Sequence, residues 1–351
     1  MNNFIENNLP FVSIIIPCRN EKKHIGQCLD SIIAKDYPHE NLEVLIVDGM
    51  SEDGTRDIIK KYIREHSFIK LLDNPEKITP VAMNIGIKRA KGDIVILVNA
   101  HSILDSSFLR YSMEYLAKTG AEAVGGMLNT INDSCSLVAQ AIPLAADSIF
   151  GAGGKRYRTR TEEGWVKDTI PYCAYPKKIF EEIGVIDEDL VRGQDAEFNY
   201  RILRHGGRIY YTPKIKSYLH IRPTFKKLWK QHFQYGCFKP LVTKKSGIIL
   251  TFRQAIPAIF VLSLVGSLGL AIFFKPLLWL FVFVLGSYTV ANLGFSLKIS
   301  LNKGLRYFFA LPLVFATLHF SYGVGYLKGV WDFVIFRKDK KGKIMDLIPT
   351  R

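Results

Sequence analysis

Short apolar runs alternate with amphipathic ones through the first hundred residues. VSIIIP (12–17) reads as a strand, and residues 21–34 then place Ile25, Leu29, Ile32 and Ile33 at helical spacing. LEVLIVD (42–48) is a second strand, and Thr55–Glu65 repeats the helical period through Ile58, Ile59, Tyr62 and Ile63. FIKLLDN (68–74) predicts a short strand, residues 79–90 a third helix, and DIVILV (93–98) a further strand. Near-continuous Val, Ile and Leu strands separated by helices predict an α/β domain: a doubly wound, mostly parallel sheet with helices on both faces.

In such a sheet ligands bind beyond the carboxyl ends of the strands, where the strand order reverses. Those ends carry PCRNE (17–21), DGMSEDGT (48–55) and NAHS (99–102), so three polar clusters converge on one rim. No G-x-G-x-x-G follows the first strand, and GAGGKRY (151–157) lacks the spacing and the Ser or Thr of a phosphate loop, which argues against hydride transfer and P-loop hydrolysis. Beyond residue 120 the pattern loosens. In DEDLVRGQDAEFNYRILRHGGRIYYTP (187–213), Asp195, Phe198, Arg201 and Ile202 fall at helical spacing and RIYY suggests a strand, so an acidic residue starts this helix.

Charge and hydropathy divide the chain sharply. The net charge is +15, and residues 204–253 hold twelve Lys or Arg with no Asp or Glu. Segments 255–274, 276–297 and 307–327 contain no charged residue. Each is about 20 residues, the length a helix needs to cross about 30 Å of hydrocarbon. A basic stretch abutting the first such segment marks a cytoplasmic flank. It accounts for the charge through anionic membrane lipids, with no nucleic acid as partner.

The expected organisation is a catalytic domain over 1–245, a membrane domain over 246–336 with two or three hydrophobic segments, and a basic tail over 337–351. A multi-pass protein of the cell membrane with its catalytic domain in the cytoplasm follows. Three crossings would leave the basic tail outside, against the positive-inside rule. The expected cytoplasmic tail therefore requires a third segment that is re-entrant or interfacial, or a first pair that does not fully cross. No basic n-region and apolar core open the chain, so no signal peptide is expected. Five cysteines without a C-x-x-C pair suit free thiols in a reducing compartment.

The ordered blocks VSIIIPCRNE, VLIVDGMSEDGT, MNIGIKRAKGDIVILVNAHS, VIDEDLVRGQDAEFNYRILRHGG and QHFQYG resemble the inverting family 2 glycosyltransferases of GT-A fold, and among them the membrane-anchored exopolysaccharide type that includes succinoglycan enzymes. The resemblance covers residues 11–240. It implies an inverting hexosyltransferase that moves a sugar from a nucleotide-sugar donor, a UDP-sugar, to a lipid-linked or growing saccharide acceptor in cell-surface glycan synthesis. Pro17, Asn20 and Glu21 then line the nucleotide loop, Asp48 hydrogen-bonds the donor base, and Asp53, Asn84 and Asn99 join the donor site. His101 becomes the contact to a divalent cation, Mn2+ or Mg2+, with Asn99-Ala100-His101 standing where the family has Asp-x-Asp or Asp-x-His. Asp195 becomes the catalytic base. Gln194, which replaces a frequent Glu, lies on the acceptor or diphosphate side with Gln231 and Tyr235.

Each of these residues also has a plainer reading. His101 alone could be an ordinary strand-end histidine, and Asp48 could cap the following helix beside a turn-forming Asp-Gly. Asp195 and Glu197 both suit a helix N-terminus through the dipole alone. Asp168 is open to an acceptor contact or to an exposed loop role. Asn99 and Gln194, both standing where carboxylates are usual, leave a non-catalytic glycosyltransferase-like membrane scaffold as the alternative function.

Overall fold

Seven consecutive residues of β1 (Val12–Cys18) are buried or nearly so, because covered parallel strands are apolar on both faces. The computed structural model describes residues 9–34, 37–132, 134–151, 156–221, 223–247 and 252–338. Residues 152–155 of the Gly-rich stretch, Arg222 and 248–251 of the basic stretch, and 339–351 of the tail lie outside them.

After β1 the chain runs through α1 (Ile25–Ile33), β2 (Leu42–Asp48), α2 (Thr55–Glu65), β3 (Ile69–Asp73), α3 (Thr79–Arg89), β4 (Ile94–Leu97), β5 (Ser102–Leu104), α4 (Phe108–Thr119) and β6 (Ala123–Ile131). The helices α5 (Leu137–Ala146) and α6 (Arg156–Thr159) precede β7 (Gly164–Val166), β8 (Ala174–Pro176), α7 (Lys178–Glu182), α8 (Gln194–Arg204) and β9 (Ile209–His220). Four helices follow: α9 (Phe225–Ser246), α10 (Phe252–Leu270), α11 (Leu277–Lys303) and α12 (Leu311–Gly329).

The sheet order is β3-β2-β1-β4-β8-β6-β9-β5, with β7 on β9. The expectation of a mostly parallel sheet holds only for its first part. β1–β2, β1–β4 and β2–β3 are parallel, whereas β4–β8, β6–β8, β5–β9 and β7–β9 are antiparallel. Helical crossovers, which parallel pairing requires, connect β1 to β4. Past residue 120, β7 and β8 are three residues each, too short to show a period.

The register pairs Cys18 with Asp48 and Asp48 with Asp73, which aligns the carboxyl ends of β1, β2 and β3. One polar pair is buried inside the sheet: Ser13 Oγ donates to Glu43 Oε1 at 2.7 Å, and the Lys91 amide donates to the same oxygen at 2.6 Å.

Contacts divide the chain into one unit from Met1–Asn129 and Arg160–His220 and another from Thr130–Thr159 and Ile221–Ile344. The expected division at residue 245 differs, because α9 packs with α12 and α5 joins the core formed by Leu311, Val314, Phe315 and Leu318.

The second unit also separates the three apolar segments. α10 and α11 are long and apolar enough to cross a membrane, and α11 exposes Leu278, Trp279, Phe283, Val290 and Leu301. The segment expected at 307–327 instead begins in a 3-10 turn (Leu305–Phe309) and continues as α12, a helix buried within its own unit. Glycines make this packing possible: a Cβ on Gly325 would sit 2.1 Å from Phe233 O, and one on Gly329 would sit 2.0 Å from Cys237 O. Polar groups close the seam with α11. His319 Nε2 donates to Phe150 O at 2.7 Å, so Nδ1 accepts from Tyr288 OH at 3.1 Å. Asn292 Nδ2 donates to Pro312 O at 3.1 Å.

Candidate active site

The carboxyl rim of the parallel strands holds a dense polar network. Asp48, the last residue of β2, is fully buried; its carboxylate accepts from the Ser51 amide at 2.9 Å, Ser51 Oγ at 2.5 Å and Arg56 Nη1 at 2.9 Å. Arg56 also reaches Asp73 at 2.8 Å and so spans the ends of β2 and β3. Asn20, at φ 53° in the loop after β1, accepts from the Glu52 amide at 3.0 Å, and its own amide donates to Ser51 Oγ at 2.8 Å. Left-handed backbone is tolerated by Asn, and here it turns the loop onto its neighbour.

Asp53 fastens the same two loops. It accepts from the Thr55 amide at 3.0 Å, Thr55 Oγ1 at 2.5 Å and the Lys22 amide at 3.1 Å. Burial opposes ionisation of Asp53, but these hydrogen bonds outweigh it and hold the carboxyl below its ordinary value. Burial, then the charges of Asp48 and Glu21, push the Cys18 thiol well up, so Cys18 remains a protonated core residue.

The helix expected over 21–34 starts only at Ile25. Glu21 stays in the preceding turn, where its carbonyl accepts from the His24 and Ile25 amides. From there its side chain accepts from His101 Nδ1 at 3.1 Å. In neutral imidazole a proton on Nδ1 puts the lone pair on Nε2, the arrangement a metal-binding histidine uses. His24 and His220 lie beside this pair with ring centroids 4.6 Å apart; burial, then His220, hold the His24 imidazole below its ordinary value. Among the described residues no three His, Cys, Asp or Glu form a group able to hold a metal ion alone. With Nδ1 held by Glu21, His101 has the chemistry to contribute one imidazole nitrogen to a divalent cation.

Asn99 Nδ2 donates to Tyr172 OH at 2.8 Å, and Ser102 Oγ lies 2.7 Å from the same phenol. The charge of Asp195 also acts on Tyr172, on Tyr175 and on Tyr200, whose phenol burial, then Asp168 and Asp195, push up to about 12. Gly193, at φ 78°, precedes α8, and Asp195 is exposed in the helix's first turn beside Gln194. Glu197 is buried instead, held by Arg201 through bonds of 2.9 and 2.6 Å. Of the two carboxylates that the helix pattern offered, Asp195 is exposed and Glu197 is buried.

The family model for glycosyl transferase family 2 matches residues 13–184. A dolichyl N-acetyl-alpha-D-glucosaminyl phosphate 3-beta-D-2,3-diacetamido-2,3-dideoxy-beta-D-glucuronosyltransferase of Methanococcus voltae is 32% identical, over 91% of this chain and 97% of its own. The chain belongs to the family 2 glycosyltransferases. The succinoglycan biosynthesis protein ExoA of Rhizobium meliloti is 28% identical over 91% of this chain and 95% of that protein.

The fold of this glycosyltransferase is shared with solved enzymes. A mannosyltransferase from Pyrobaculum calidifontis, in complex with GDP-Man and Mn2+, superposes with a TM-score of 0.56 at 18% identity, covering 93% of this chain and 88% of that one. S. aureus TarS 1–349 in complex with UDP-GlcNAc gives 0.51 at 17% identity, with 90% of each chain covered.

Other expected site residues have different surroundings in this family 2 enzyme. Asn84 is buried in α3; its Nδ2 donates to Ile186 O at 2.9 Å and Glu188 Oε1 at 3.0 Å, and its Oδ1 accepts from the Ile186 amide at 3.0 Å. These bonds anchor the approach to α8, as a buried amide needs hydrogen-bond partners. Pro17 sits half-buried within β1. Gln231 and Tyr235 bond to each other at 3.0 Å on α9, in the second unit. Asp168 accepts from the Thr169 amide at 2.8 Å and from Tyr200 OH at 3.3 Å. Sequence reasoning missed Arg56, Tyr172, His24 and His220, whose partners are distant in the chain. Arg56 alone had a local sign, a cation in the first turn of the helix that follows a buried strand-end carboxylate.

Proposed function

We propose that this glycosyltransferase moves a hexosyl group with inversion from a UDP-sugar to a lipid-linked or growing saccharide at the cytoplasmic face of a membrane, with Asp195 as the base. The observation that carries the reading is the division between two carboxylates on α8: Asp195 is exposed in the first turn, and Glu197 is tied to Arg201.

The acceptor oxygen attacks the anomeric carbon opposite the leaving nucleoside diphosphate. The new carbon–oxygen bond forms as the bond to the phosphate oxygen breaks, and the configuration at that carbon inverts. The hydroxyl proton passes to the Asp195 carboxylate, which one positioned base suffices to accomplish. Pro17, Asn20, Glu21, Asp48, Asp53, Asn84 and Asn99 frame the nucleotide-sugar donor, and His101 would hold a divalent cation, Mn2+ or Mg2+. Such a cation offsets the charge that gathers on the diphosphate.

A lipid-linked acceptor is supported by the name of the Methanococcus voltae relative, which specifies a dolichyl N-acetyl-alpha-D-glucosaminyl phosphate, and by the two long apolar helices. Two crossings return the basic tail to the side where the chain began, as the positive-inside rule requires. The Lys- and Arg-rich stretch before α10 then faces anionic lipid, where each such residue contributes about 1 kcal/mol.

The test is transfer and hydrolysis of a panel of UDP- and GDP-sugars by the full chain in detergent, with and without Mn2+. Turnover with one donor that is lost in Asp195→Asn supports the reading. Absence of turnover with every donor and acceptor would favour the scaffold instead.

A further inference from the structure

We propose that Tyr172 is a positioning residue of the transferase site: its phenol holds the Asn99 amide, and its loop ties the 99–101 turn to the helix that bears Asp195. The inference rests on the reading of Asn99 and His101 as part of the donor site.

Three observations converge on this loop. Tyr172 is buried and sits at φ 55°, a left-handed backbone that a bulky residue adopts only where its surroundings impose it. Its phenol lies between Asn99 Nδ2 at 2.8 Å and Ser102 Oγ at 2.7 Å, so it grips the turn after β4 at both ends. The flanks of the same loop are bound to α8. Asn199, one turn beyond Asp195, donates to Ile170 O at 2.9 Å and to Thr169 Oγ1 at 3.2 Å and accepts from Tyr175 OH at 2.8 Å. Hydrogen bonds at either end of the 169–175 loop therefore connect Asn99, through Tyr172 and the loop backbone, to Asn199 on the helix of the base.

The chemistry also accounts for an amide at position 99. The Asn99 NH2 donates to the phenol oxygen, which also shares a hydrogen bond with Ser102 Oγ in which either hydroxyl can donate, and the Asn99 carbonyl oxygen is thereby given a fixed direction. A carboxylate at 99 could only accept, so it would require the phenol to donate to it and would lose the amide's donor contact. Tyr172 does not touch the reacting atoms in this scheme; it sets where Asn99 and Asp195 stand relative to each other.

The experiment measures UDP and GDP affinity of the full chain in detergent by calorimetry, with and without Mn2+, for the unaltered protein, Tyr172→Phe, Asn99→Ala and the double variant. Melting temperatures of all four are recorded. Tyr172→Phe keeps the ring and removes only the hydroxyl; it is expected to weaken Mn2+-supported UDP binding about 10- to 100-fold, the range seen when an orienting partner is lost. In the Asn99→Ala background the same change is expected to have no further effect, because the phenol acts through Asn99.

Should Tyr172→Phe not fold, Ser102→Ala carries the same comparison, releasing the phenol's second partner without altering the ring. If Tyr172→Phe binds UDP as the unaltered protein does, or weakens it equally in both backgrounds, the positioning role is overturned and the donor site stands. If the unaltered protein binds neither nucleotide, the donor site itself is overturned and this inference with it.

Discussion

Glu21 Oε1 lies 3.1 Å from His101 Nδ1 although eighty residues separate the two in the chain. The contact exists because Glu21 belongs to the turn before α1 rather than to the helix, and because β1 and β4 are parallel neighbours. Removing the carboxylate frees the imidazole to rotate and to change tautomer. Glu21→Ala is therefore expected to lower Mn2+ affinity in the presence of UDP about 10- to 100-fold. Glu21→Gln, which keeps an acceptor, is expected to lose less. Mn2+ titration followed by electron paramagnetic resonance checks both, and unchanged affinity in Glu21→Ala would remove His101 from the cation site.

Asp195 and Glu197 are two residues apart and are expected to fail differently. Asp195→Asn preserves size and is expected to lower kcat about 10²- to 10⁴-fold while UDP affinity and melting temperature stay unchanged. Glu197→Gln weakens a buried pair with Arg201 and is expected to reduce stability by about 1–3 kcal/mol, with turnover per folded molecule largely kept. Steady-state kinetics beside thermal melts separate the two; the reverse pattern would exchange their roles.

Glu43 gives the sheet a pH dependence of known sign. Its burial raises the carboxyl pKa, but bonds from the Lys91 amide, Ser13 Oγ and Lys70 Nζ outweigh that effect and hold it below the ordinary value. The unfolded chain thus binds more protons between the folded value and about 4.3, the ordinary glutamate value. Stability from this group is fully present above that range and is lost as pH falls through the lower folded value. Melting temperature against pH is expected to fall more steeply below about pH 4.3 in the unaltered protein than in Glu43→Gln. Parallel curves would rule out this carboxylate as the source.

Gly329 and Gly266 provide a matched pair in the second unit. A Cβ at 329 would come within 2.0 Å of Cys237 O, whereas nothing lies within 4 Å of one at 266. Gly329→Ala is expected to force α9 and α12 apart at a cost of about 1–3 kcal/mol. Gly266→Ala is expected to be neutral or slightly stabilising, since Ala favours helix over Gly. Melting in detergent measures both, and equal effects would contradict the close packing of α12.

The chain order of local signals determined a good part of this protein. The apolar period placed β1, β2, β3, β4 and the helices between them within a few residues, and the runs of uncharged residues located α10 and α11. The five ordered blocks indicated the family, and the helix around Asp195 was legible from its spacing.

Only the tertiary structure decided the rest. The antiparallel strands β5, β7 and β8 are three residues each, too short to carry a period, and pairing with distant strands defines them. α12 has the composition of a membrane segment and the burial of a core helix, a difference set by which neighbours approach its glycines. Asn84 and Asn99 look alike as polar residues near the sheet; Ile186 claims the first, and Tyr172 orients the second at the rim. Hydrophobic period is a property of residues close in sequence, so the sequence reports it directly. The duty of a polar side chain depends on which partner satisfies it, and folding brings that partner from elsewhere in the chain.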